Sequence, residues 1–117
     1  AYSDCFALDQ TKQYAFTAQV RAISGLGIIL LKIYQDSLCT TLTGGGQIFL
    51  GNLDGGNNGS GNWKSLSYKP TFMPNSNVMS GKIQLIANTA FNYEANILFD
   101  HLILEPDNIF LSDFESH

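Results

Sequence analysis

Tyr14-Ala-Phe-Thr-Ala-Gln-Val-Arg-Ala22 is the stretch that decides the fold. Tyr14, Phe16, Ala18, Val20 and Ala22 fall on one side of an extended chain, and Ala15, Thr17, Gln19 and Arg21 on the other. Side chains of a strand alternate with period two. The segment therefore predicts a half-buried strand, with one face on a core and the other on solvent or ligand. Working outward, Ser24-Gly-Leu-Gly27 breaks the pattern and a second strand follows. It puts Ile29, Leu31 and Ile33 on one face and Leu30, Lys32 and Tyr34 on the other.

Further along, Asp36-Ser37 starts a turn, Thr40 to Gly46 reads as a polar, Gly-rich loop, and Gln47 to Leu50 as a short strand. Asn52 to Asn62 is dominated by Gly and Asn and predicts a long loop. Trp63 to Lys69 resumes a strand, and Pro70 and Pro74 bracket a turn region. Lys82 to Asn88 places Ile83, Leu85 and Ala87 on one face and Gln84, Ile86 and Asn88 on the other. The last long strand runs from about Glu94 to Leu104. Its inward set Ala95, Ile97, Phe99 resumes at Leu102 and Leu104, a step of three that predicts a bulge at Asp100-His101. No segment sustains a helical period. Short strands separated by Gly/Asn turns predict an all-β, antiparallel two-sheet β-sandwich.

The whole chain, 117 residues, is one domain in size. Residues 1–117 form a single unit, with 105–117 as a C-terminal tail. The formal net charge of -4 argues against nucleic acid as a partner. No apolar run approaches a membrane span; the longest, Ile28-Ile-Leu-Leu31, ends at Lys32. Charged residues are only 14%, and ten Asn, ten Ser, seven Thr and 11 Gly supply the polarity instead. That surface of uncharged hydrogen-bonding groups suits a secreted or cell-surface, carbohydrate-facing protein. The opening Ala1-Tyr-Ser-Asp4 has neither a basic nor an apolar leader region, which reads as a mature fragment or, preferably, an excised domain. Cys5 and Cys39 are either two buried thiols or a disulfide, and the extracellular composition favours the disulfide.

The motifs of common catalytic sites are missing: no zinc-protease helix, nucleophile elbow, phosphate loop or dinucleotide fingerprint occurs. The acids are scattered and none singles out a glycosidase pair. Binding reads better. Sugar rings stack on aromatic side chains, and their hydroxyls bond to amides, hydroxyls and charged groups. The outward positions Thr17, Gln19, Arg21, Lys32, Tyr34, Gln84 and Asn88 form such a set. Trp63 is either a core residue at a strand start or an exposed stacking platform beside them. Leu30, Ile86 and Leu98 are awkward on a solvated face. They line a groove, or they bury against a second copy or a neighbouring domain.

Three blocks together resemble the secreted carbohydrate-binding modules of the galactose-binding-like jelly-roll type. They are Cys5 with Tyr14 to Arg21; Leu31 to Asp36 with Cys39; and Trp63 to Leu66, Pro74, Lys82 to Leu85 and Phe99 to Leu102. The resemblance covers about residues 4 to 104. It implies a jelly-roll sandwich that binds a glycan or polysaccharide without catalysis. It also implies a structural calcium, held by Asp100 and by an acid of the first strand. The chain departs from that layout at its start, which lacks the usual Phe-Glu strand. A similar phrase stands at the end, in Ile109 to Ser116, so Glu115 supplies the second acid only if the tail fills the first strand's place. The tail either does so in a permuted or swapped arrangement or opens a following module. The runner-up function is a structural or adhesive protein-interaction domain of the same fold.

Overall fold

The structure is a computed structural model and describes residues 1–54, 62–72, 77–88, 96–105 and 109–110. Every regular element among them is a strand: β1 (Phe6–Ala7), β2 (Ala15–Ser24), β3 (Leu26–Tyr34), β4 (Leu42–Asp54), β5 (Trp63–Tyr68), β6 (Ser80–Asn88), β7 (Asn96–Glu105) and β8 (Ile109–Phe110). They make two four-stranded sheets: sheet A in the order β1-β6-β3-β4 and sheet B in the order β5-β2-β7-β8. Every pairing is antiparallel. The two sheets pack face to face as a β-sandwich, the architecture the alternating pattern predicts.

The core is the inward half of each alternation. Phe16, Val20 and Leu104 from sheet B meet Ile29, Leu31 and Ile83 from sheet A, all fully buried. Burying each such side chain contributes about 1.5–3 kcal/mol, so these six positions alone specify the register of both sheets. Tyr14 is buried beside them. Its ring meets Phe72 edge-on at 5.9 Å, and its hydroxyl accepts the Asp9 N–H at 2.8 Å. A buried phenol thus keeps a partner.

β2 and β3 are consecutive yet belong to different sheets. The crossing turns on Gly25, whose φ of 82° lies where a side chain is disfavoured. The bulge predicted in the last strand is present: Gln19 faces Asp100 while Thr17 faces Ile103, and His101 has a φ of 50°. Phe99, Leu102 and Leu104 thereby all turn inward despite the three-residue step.

Two expectations are corrected. Thr40 to Gly46 is not a loop throughout, because β4 starts at Leu42. The free edge of β3 captures this stretch. Surplus residues are taken up as a bulge, where Lys32 pairs with Gln47 but Tyr34 with Leu42. Asn52 to Asp54, expected to open a long loop, instead pair with β3; residues 55–61 lie outside the described residues. The N-terminal segment carried no strand signal, yet it lies along β6. The amine of Ala1 donates to Leu85 O at 3.0 Å, Ser3 N–H to Ile83 O at 2.9 Å, and Leu8 N–H to Met79 O at 3.0 Å. In the tail, Ile109–Phe110 pairs with Ile103 and Leu104, adding a strand beside β7. Glu94 and Ala95 lie outside the described residues.

Cys5 and Cys39 form a disulfide, with Cα atoms 6.0 Å apart and a sequence separation of 34. It ties the N-terminal edge of sheet A to the turn between β3 and β4.

Candidate functional site

Period two separates inside from outside, but it does not say which sheet an outward residue belongs to. Thr17, Gln19 and Arg21 lie on the outer face of sheet B, as does Trp63, which pairs with Arg21 across β2 and β5. Lys32, Tyr34, Gln84 and Asn88 lie on the outer face of sheet A. The single binding face read from the sequence is therefore two faces on opposite sides of the sandwich. The same division splits the three apolar residues. Leu30 and Ile86 share sheet A, and Leu98 projects from β7 on sheet B.

The sheet B face holds a groove of about 700 Å³. Its floor is built by register, with Thr17 opposite Ser67 and Gln19 opposite Ser65; Trp63 lines it at the start of β5, while Arg21, opposite Trp63, is not part of its lining. The Gln19 amide donates to the Ser65 hydroxyl at 2.9 Å, which fixes both side chains. Trp63 is 45% exposed, so it is not a buried core residue. The opposite wall is β7. There the bulge puts both Asp100 and His101 at the groove, followed by Ile103. The Asp100 carboxylate accepts the His101 N–H at 2.9 Å and lies 3.2 Å from its Nδ1. Ser65, Ser67, His101 and Ile103 were not singled out from the sequence. The alternation Trp63, Ser65, Ser67 carried the signal for the first two. His101 reaches the groove only because the bulge adds an outward position.

The sheet A face has two halves. One is apolar: Ile28 pairs with Ile86 and Leu30 with Phe49, which is 51% exposed. The other is a depression of about 540 Å³ lined by Tyr2, Lys32, Tyr34, Thr40, Leu42 and Lys82. Burial pushes the Tyr34 phenol up from its ordinary value, with smaller contributions from Tyr2 and Asp36. The wall beyond Tyr34 is the turn from Gln35 to Thr41, organised by Asp36. Its carboxylate accepts the Thr40 hydroxyl and the N–H groups of Thr41 at 2.9 Å, Thr40 at 3.1 Å and Leu38 at 3.3 Å. These bonds, led by that of the Thr40 hydroxyl, hold the carboxyl down at about 2.

Of the two acids implied as calcium ligands, Asp100 bonds to His101 and Glu115 lies outside the described residues. Calcium takes six to eight oxygen ligands. Among the described residues no three His, Cys, Asp or Glu side chains converge. No helix long and apolar enough to cross a membrane occurs among them either. No protein-family model, curated protein or solved structure matches the chain, so fold and surface chemistry carry its functional reading.

Proposed function

We propose that the domain is a non-catalytic carbohydrate-binding module of the galactose-binding-like jelly-roll kind, acting outside the cell, with its glycan site in the outer groove of sheet B. The observation that carries this reading is an exposed Trp63 set beside a floor of uncharged hydrogen-bonding groups. An indole offers a flat apolar face to a sugar ring, and Thr17, Gln19, Ser65 and Ser67 supply donors and acceptors for hydroxyls. Asp100 and His101 add a polar rim on the far wall. Tyr34, Lys32, Gln84 and Asn88 belong to the opposite face and drop out of this site. The disulfide supports an oxidising compartment.

Trp63 is the one tryptophan of the chain, so its emission reports the groove directly. A glycan array, run with calcium and again with chelator, identifies the sugar and tests the metal that the resemblance implies. Titration of that sugar is expected to shift Trp63 emission, and Trp63→Ala to weaken binding about tenfold while the domain stays folded. A bound glycan that leaves the emission unchanged and binds Trp63→Ala equally well would place the site elsewhere. An array without hits would remove the glycan reading.

One observation favours the structural or adhesive interaction domain as a second reading: the apolar half of sheet A, where Ile28, Leu30, Phe49 and Ile86 adjoin on an outer face. Contiguous apolar surface of this kind marks association surfaces.

A further inference from the structure

Lys32 and Lys82 are directly opposite one another in the register of β3 and β6. Like charges at opposed positions of a sheet repel. The chain has only six Lys and Arg against ten Asp and Glu, so carboxylates to neutralise such a pair are plentiful. Yet neither ammonium lies within ion-pairing distance of a carboxylate among the described residues. Asp36, four residues from Lys32, is turned into its own loop by its four donors. Both lysines are half-buried, and both line the same depression, with Tyr2, Tyr34, Thr40 and Leu42.

We propose that Lys32 and Lys82 form an anion site that takes the carboxylate or sulfate group of an acidic saccharide, with Tyr2 and Tyr34 flanking the sugar ring. This rests on the carbohydrate-binding reading and adds a contact on the face opposite the Trp63 groove. Two ammonium groups lining one depression match one anionic group, whose binding offsets their mutual repulsion. The depression, about 540 Å³, has room for a sugar ring around the charge, where a bare inorganic anion fills only a corner. The aromatic walls and the Thr40 hydroxyl then meet the ring and its hydroxyls.

The test titrates the intact domain with four probes: hexagalacturonate, its methyl ester, a chondroitin sulfate hexasaccharide and inorganic sulfate. Amide signals of Lys32 and Lys82 report the depression, and Trp63 emission reports the groove. Either acidic saccharide, or both, is expected to shift the lysine amides, with binding that weakens as salt is raised; the ester and inorganic sulfate are expected to bind far more weakly. Lys32→Gln and Lys82→Gln are each expected to weaken acidic-saccharide binding about fivefold. Without ligand, Lys82→Gln is expected to raise the melting temperature by about 1–4 °C by relieving the repulsion. Equal binding of acid and ester, or acidic binding unchanged in both variants, would overturn the proposal. Inorganic sulfate binding as tightly as the saccharides would overturn its saccharide part. Silent lysine amides with a responding Trp63 would overturn it and leave the groove reading intact.

Discussion

The Asp36 carboxylate closes the turn between β3 and β4 by accepting four donors from Leu38, Thr40 and Thr41. Its folded value of about 2 lies below the ordinary 3.8. Between those values the unfolded chain binds more protons, so the stabilisation is fully present above pH 4 and drains away as the pH falls through 2. Asp36→Asn is expected to melt below the wild type at neutral pH, with the gap narrowing on acidification from pH 4 to 2. Thermal melts across that range check this, and a gap that stays constant would mean the carboxylate charge does not hold the turn. The same residue shows the reach of local pattern. Asp36 as a turn starter is legible in the sequence because its partners lie within five residues. The exposure of Trp63 is not, because it depends on what β2 places beside it.

At the scale of elements, β2, β3, β6 and β7 were readable because each presents an inward row of large apolar side chains. The bulge at Asp100-His101 was readable for the same reason, as a slip in that row. The elements that escaped are those whose reason to be extended lies elsewhere in the chain. β1 is two residues long and exists because β6 offers it backbone partners. The first half of β4 contains a Gly run that the register against β3 takes up as a bulge between Leu42 and Gln47. The candidate site suffered most, since alternation assigns each residue to inside or outside without saying which sheet is involved. β1 is also the element that the disulfide secures. Closing a loop of this length stabilises by roughly 3–4 kcal/mol. Cys5→Ser is expected to lower the melting temperature by about 10 °C or more in oxidising buffer, and reduction of the wild type to match it. Unchanged melting in both would show that the pairing along β6 suffices without the bridge.

Across the whole molecule, the two outer faces differ in chemistry: a polar groove with one indole on sheet B, an apolar half beside a cationic half on sheet A. If the apolar half is an association surface, sedimentation is expected to show a dimer at high concentration that Phe49→Ser, or Ile86→Ser, abolishes without unfolding. A monomer at all concentrations would leave that half without a self-partner. The strand order carries one more consequence. The inner strands β2 and β3 are each completed by a strand from the far end of the sequence, β7 and β6. On a ribosome or a translocation channel, sheet A cannot close until β6 has emerged, nor sheet B until β7 has. Folding must then wait for β6 and β7, through distant encounters that place such topologies among the slower small domains. In that interval both cysteines stay open to oxidant, and the disulfide can form before the sandwich shuts around it.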